Sequence, residues 1–303
     1  MLKQLVRVAG IAVGAATFSF FLLLLVPGDP LAARWGRPAD PQRRAALQVQ
    51  LRLDQPAPLR YASYLGRVVR GDLGRSLATR EPVATALLQR AAPTAQLVGS
   101  AFFLALALGL ALGSQAALRP RGFLDRSLPL VCSLLLAVPS FLAGYVLLLV
   151  FSVDLRWAPI SGYVAGDWSY LVLPALALAL RPIALVARTA RREVEAALNL
   201  EACRCARARG CGGLRLLLFY GLAPAAVPLL EVAGAVVSSL LAGTYFVEFV
   251  FGWPGLGQWT LRAVESLDVF AIQGAVLLTA VTSASLHAGL DLLSRWIDPR
   301  RRS

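Results

Sequence analysis

The chain has 303 residues, of which 57% are hydrophobic and 16% charged, with a mean hydropathy of +0.65. A soluble domain carries about 25% charged residues; here the apolar surplus lies in long runs, which argues against a soluble domain and for a membrane protein. The net charge of +13 is nearly all arginine, with Lys3 the only lysine. The Gly-Lys-Ser/Thr of a P-loop ATPase is therefore missing, and arginines placed between apolar runs speak for lipid headgroups rather than nucleic acid.

A helix needs about 20 mainly apolar residues to cross the hydrocarbon core. Six stretches qualify: 5–26, 94–118, 127–151, 170–188, 222–247 and 270–291. The first lacks the A-x-A exit of a cleaved signal peptide and reads as a retained span. The polar segment 27–93 follows it. Within that segment DPQRRAALQVQLRLD (40–54) and Tyr61 to Val69 set apolar residues among charges, as short surface helices do; QPAP separates them and GDLG (71–74) ends the second. The third span contains Pro129 and Pro139 and the fifth Pro224 and Pro228, which membrane helices tolerate when neighbours satisfy the freed carbonyls. The expected fold class is an all-α polytopic membrane protein with six transmembrane helices.

Six spans place both termini on one side. Segment 119–126 carries three Arg and one Asp, 188–215 seven Arg and three Glu, and the tail 295–303 four Arg and one Asp. The alternate loops 152–169 and 248–269 carry one Arg each. This bias puts both termini in the cytoplasm. Segment 27–93 runs against it with eleven Arg and five acids, but loops beyond about 60 residues escape the rule. The expected organisation is a first transmembrane helix (1–26), an external loop with short helices (27–93), a core transmembrane domain (94–294) with a cytoplasmic loop at 188–221, and a cytoplasmic tail (295–303).

Loop 188–221 is oddly polar and holds Cys203, Cys205 and Cys211. A zinc site asks for C-x2–4-C pairs, whereas the spacing here is C-x-C, and the only histidine, His287, is in the last span. Cysteines in an Ala-rich helix serve as small hydrophobes. Val194 to Arg209 has neither Pro nor Gly and reads as one helix, ended by Gly210. Such a basic helix suits either docking to another protein or contact with headgroups. Arg181 and Glu231 lie within spans, where a charge costs roughly 2.5–3.5 kcal/mol and normally faces a partner or a water-filled path. The two allow a translocation path lined by both, or a structural ion pair. Ser238, Ser239, Thr244, Glu248 and Gln273 are weaker lining candidates, and His287 reads as a packed or interfacial residue. Gly252 to Gly257 reads as a tight turn with two aromatics at interfacial depth.

Several motifs occur in order: VPGDP (26–30), LRLDQP (51–56), GDLGRS (71–76), AVPSF (137–141), ARARG (206–210), VPLL (227–230), FGWPGLGQW (251–259) and DLLSRWIDPR (291–300). On them the chain resembles the inner-membrane permease subunit of a bacterial ABC importer of the dipeptide/oligopeptide/nickel branch. The resemblance implies a type I ABC importer permease fold with a cytoplasmic coupling helix, alternating access, and no catalytic residue, metal or cofactor of its own. It also implies partners: a second homologous permease subunit, two subunits that bind ATP and Mg, and an extracytoplasmic substrate-binding protein. The family signature, EAA followed three residues later by Gly, does not fit Glu195-Ala196-Ala197, because position 201 is Glu. Counted back from Gly210 it falls on Arg204-Cys205-Ala206. Glu201, Arg204, Arg207, Ala208 and Gly210 would then dock on the ATP-binding subunit. The departures are Cys203, Cys205, and Ala223-Pro224 where the branch has Arg-Asn. Gly71, Asp72, Gly74, Trp253, Pro254, Gly255 and Gly257 would form the outer gate on the binding-protein side. Arg181, Glu231, Ser238, Ser239 and Glu248 remain as path candidates. Peptides, nickel, metal chelates and glutathione-like solutes are all carried in the branch, and the scarcity of His and Met argues against a bare metal ion. Two rivals are a stand-alone secondary transporter, which would show paired intramembrane acids, and a membrane enzyme, which would cluster His, Asp or Cys at one depth.

Overall fold

The computed structural model describes residues 2–25 and 55–297. The expected helix over 40–54, the VPGDP motif, most of LRLDQP and the end of the tail lie outside the described residues. Among those described, helices account for every regular element, and Arg75 and Pro82 form an isolated antiparallel bridge. The chain divides into two compact units, residues 1–92 with 255–284, and residues 93–254 with 285–303.

The first unit contains α1 (Leu2–Leu25), α2 (Ala57–Val69), the first turns of α3 (Val83–Leu118), and α10 (Leu256–Glu265) with the start of α11 (Val269–Ile297). α2 begins after Pro56 with a second proline in its first turn, where no backbone N–H is needed. It lays Tyr64 against Phe20 of α1, the rings stacked 5.7 Å apart. A second apolar cluster joins Val83 and Leu87 of α3 to Trp259 of α10 and Phe270 of α11.

The second unit is built round α6 (Ser169–Leu198), which buries Leu173, Ala177, Ile183, Val186, Ala190 and Val194 among others. It packs against the rest of α3, against α4 (Phe123–Ala137) and α5 (Ser140–Leu147), and against α9 (Ala223–Phe251). Gly109 and Gly113, one helical turn apart on α3, let two backbones meet. A Cβ on Gly113 would lie 2.4 Å from the Ala187 carbonyl oxygen, and one on Gly109 2.6 Å from Cβ of Val186. This is the small-xxx-small contact of membrane helices.

Three elements differ from the sequence expectation. The third span is not one rod: α4 and α5 meet at 99° across Val138-Pro139. Pro139 donates no hydrogen bond, and Val138 is extended (φ −80°, ψ 123°), as a residue before proline prefers. α5 then widens into a π-helical stretch, Leu148–Asp154. Five helices are long and apolar enough to cross a membrane, or six if the bent pair counts as one span. The fourth span runs on to Leu198, ten residues past its expected end at 188. Finally, the expected helix from Val194 to Arg209 breaks at Asn199-Leu200, where Leu200 adopts ψ 149° and redirects the chain into α7 (Glu201–Ala208), which the single turn α8 (Gly213–Leu216) follows.

Candidate functional site

α7 has eight residues, Glu201 in its first turn and Arg207 in its last, which suits both ends of the helix dipole. Only Cys203 and Ala206 are buried. Three residues apart, they share one face and pack with Val194, Leu198, Leu216 and Ala225. Glu201, Arg204, Cys205, Arg207, Ala208 and Arg209 are exposed. Gly210 closes the helix at φ +80°. Its N–H donates to the Arg207 carbonyl at 2.9 Å, and the Cys211 N–H to the Ala206 carbonyl at 3.0 Å. This is a Schellman cap, and a Cβ at 210 would meet nothing within 4 Å. Glycine is needed there for backbone conformation alone. The residues nominated for docking therefore share one small helix that clings to the unit by two small side chains. Cys203 acts as a packing residue, and no group of three His, Cys, Asp or Glu suited to a metal gathers among the described residues. An ion pair between Arg191 and Asp125 ties the end of α6 to the start of α4, and the Arg121 N–H donates to the same carboxylate at 2.8 Å.

In the first unit, the GDLGRS segment is a locked turn. Gly71 and Gly74 have φ of +77° and +82°, and Asp72 accepts the Gly74 N–H at 2.9 Å. A Cβ on Gly74 would lie 2.9 Å from the Phe270 ring, over which the Arg67 guanidinium sits at 5.7 Å. The lock itself is Asp268, 1% exposed, which sequence reasoning missed. Its carboxylate accepts from Ser76 Oγ at 2.5 Å and the Ala78 N–H at 2.9 Å, and caps α11 through the Ala271 N–H at 3.2 Å. An Asp directly before the apolar run at 269 was the available signal. Asp268→Ala leaves buried donors unpaired, at about 1–3 kcal/mol each. The expected result is faster tryptic cleavage after Arg75 and Arg80 in detergent-purified protein, with a lower unfolding temperature.

The other outer-gate nominees sit in the turn that follows α9. Gly252 ends α9 at φ +63°, and the Trp253 N–H donates to the Glu248 carbonyl at 2.8 Å. Trp253 faces the interior of the chain. It is 1% exposed, its Nε1 donates to the Pro93 carbonyl at 3.0 Å, and its ring meets Tyr163 edge-on at 4.7 Å. Pro254 is exposed, whereas Gly255 and Gly257, which belong to the first unit, are buried.

The path candidates separate. Glu248 is 0% exposed and accepts a hydrogen bond from Thr94 Oγ1 at 2.6 Å, so it is a packing residue and not part of an open wall. Ser239 is half-buried, and Ser238 is exposed beside His287, 3.1 Å away. Glu231 is exposed and lines a cleft of about 380 Å³ with Gly234, His287, Asp291 and Ser294. Arg181 is exposed on α6 and forms no ion pair with Glu231.

The description "Binding-protein-dependent transport system inner membrane component" matches residues 86–303, and "Binding-prot-dependent transport system membrane comp, N-term" matches residues 1–98. The chain is 33% identical over 308 residues to the probable peptide ABC transporter permease protein y4tP of Sinorhizobium fredii, covering 100% of this chain and 98% of that protein. It is 32% identical over 333 residues to the di/tripeptide transport system permease protein DppB of Pseudomonas aeruginosa, covering 100% and 99%. It is 33% identical over 302 residues to the glutathione transport system permease protein GsiC of Salmonella typhimurium, covering 100% and 98%.

Proposed function

The chain belongs to the binding-protein-dependent inner-membrane components, the transmembrane subunits of ABC importers, and we propose that it forms half of a translocation path for short peptides or a peptide-like solute such as glutathione. Peptide and glutathione systems are what the similar permeases are named for, which favours this cargo over nickel. The family assignment sets aside both the stand-alone transporter and the membrane enzyme.

In this reading the bent pair α4–α5 crosses the membrane once, so there are six crossings and both termini are cytoplasmic. α7 then faces the cytoplasm as the coupling helix. A second permease subunit completes the path, two ATP-binding subunits hold ATP and Mg, and a binding protein delivers cargo at the outer face. When the ATP-binding subunits close, they move α7; because Cys203 and Ala206 hold it to α6 and the start of α9, that motion passes to the central helix. The two access states need differ by only a few kcal/mol for ATP and loaded binding protein to select between them.

The observation that carries this reading is the exposed, glycine-capped α7 on its two-residue anchor. Its test is uptake of radiolabelled alanyl-alanine by proteoliposomes holding the assembled complex. Uptake that needs both ATP and the binding protein is the expected result. Uptake by the permease chains alone, driven by an ion gradient, would refute it.

A further inference from the structure

From Arg181 to Leu198 the fully exposed residues of α6 all fall on one side of the helix. Arg181, Leu185, Arg188 and Arg192 fall at i, i+4, i+7 and i+11, a wedge about 60° wide at 100° per residue. The three arginines in it are exposed and Leu185 is half-buried, while Ile183, Ala184, Val186, Ala187 and Ala190 on the remaining faces are buried.

Depth follows from length. α6 has 30 residues, roughly 45 Å at 1.5 Å per residue, against a hydrocarbon core of about 30 Å. Any placement of that core within the helix covers the stretch roughly 15–30 Å from its start. Arg181 lies roughly 18 Å along and Arg188 roughly 28 Å, so both fall within that stretch, the second near its end. A guanidinium stays charged. A charge at such depth does not face lipid; it faces a water-filled path or a partner. Exposure rules out the interior of this chain, and neither Arg181 nor Arg188 has an ion-pair partner among the described residues. Arg192, the last in the row, is held by Glu193 at 2.8 Å.

We propose that this wedge lines the translocation path, and that Arg181 and then Arg188 hold the carboxylate of an anionic solute on its way to the cytoplasm. The row suits a moving anion better than a fixed partner acid. The guanidinia of Arg181 and Arg188, without ion-pair partners among the described residues, stand about 10 Å apart along one line, so a carboxylate released by the first meets the second further along the same wall. The inference rests on the importer reading and adds to it that the cargo carries a free carboxylate.

The test uses the assembled complex and two probes, alanyl-alanine and its C-terminal amide, each compared with its own wild-type rate. Arg181→Gln is expected to cut dipeptide uptake at least tenfold and amide uptake less than twofold. Arg188→Gln should act in the same direction, and Arg181→Lys should keep a third or more of the dipeptide rate. In a chain whose native cysteines are replaced, Arg181→Cys and Arg188→Cys should react with a water-soluble sulfonate thiol reagent, more slowly when dipeptide is transported, and Ile183→Cys should not react. Equal losses for both probes, inert cysteines at 181 and 188, or loss of the second permease subunit from the Arg181→Gln complex would overturn the proposal. The last outcome would assign Arg181 to an acid of the partner subunit. A wild-type complex without ATP-dependent uptake would overturn the importer reading as well; a transporting one with these outcomes overturns the inference alone.

Discussion

Arg207→Glu combined with Gly210→Ala leaves the chain in the membrane at normal level and lowers ATP-driven uptake by roughly a hundredfold or more. Arg207 is exposed in the last turn of α7, so its reversal removes no packing inside the chain. An arginine at the centre of an interface is worth about 2–4 kcal/mol to binding, which alone is about 30- to 1000-fold. Gly210 contributes differently. At φ +80° an L-residue costs about 1–2 kcal/mol, and the two cap bonds to Ala206 and Arg207 are what fix where α7 ends. A Cβ there touches nothing, so any loss comes from the direction of the helix and not from a clash. Co-purification of the ATP-binding subunits and uptake, measured on single and double variants, separate weakened docking from faulty transmission. Wild-type assembly together with wild-type uptake in the double variant would sink the docking role of α7.

Gly113→Leu is expected to abolish the folded chain, and Gly113→Ala to reduce its yield severely. The Cβ built at 113 is 2.4 Å from a backbone oxygen and 2.9 Å from the Arg191 backbone nitrogen. Neither can swing away as a side chain would, so α3 and α6 must separate along the whole contact. In a membrane, lipid tails replace no lost hydrophobic drive, and close packing is what holds helices together. Overpacking in a tight core costs about 1–3 kcal/mol per site and more where backbone must move. Gly99, on the same helix with nothing within 4 Å of its Cβ position, is the control: Gly99→Ala should leave detergent-solubilised yield and elution volume unchanged. Equal behaviour of the two alanine variants would contradict the close-approach account.

These two sites differ in how readable they were. Gly210 was legible because a glycine after a helical run has one common use, the left-handed cap. The Gly109-x3-Gly113 pair was equally visible as a pattern, yet nothing in one helix names its partner; Ala187 and Ala190 acquire meaning only once α6 is alongside. The spans were legible from apolar runs, since hydrocarbon imposes length directly. The 99° bend at Pro139 was not, because the same proline is compatible with a straight span wherever neighbours satisfy the freed carbonyl. Trp253 was half legible for a related reason. A tryptophan after a span fits an aromatic belt, but nothing local shows that the Pro93 carbonyl and the edge of Tyr163 hold its ring inside the chain. Glu248 and Asp268 are acids whose partners, Thr94 and Ser76, lie more than a hundred residues away in sequence; burial of a satisfied carboxylate cannot be told from exposure of a free one by local pattern.

The most direct measurement of the central claim, that ATP-binding subunits act on this chain through α7, uses a cysteine the chain already has. Cys205 is exposed on α7, whereas Cys132 and Cys203 are buried. With the half-buried Cys211 replaced by Ser, a membrane-impermeant maleimide should label Cys205 in inside-out vesicles but not in right-side-out ones. Labelling should slow at least tenfold when the ATP-binding subunits are present. Labelling from the outer face, or an unchanged rate in a complex that binds those subunits and transports, would contradict the account.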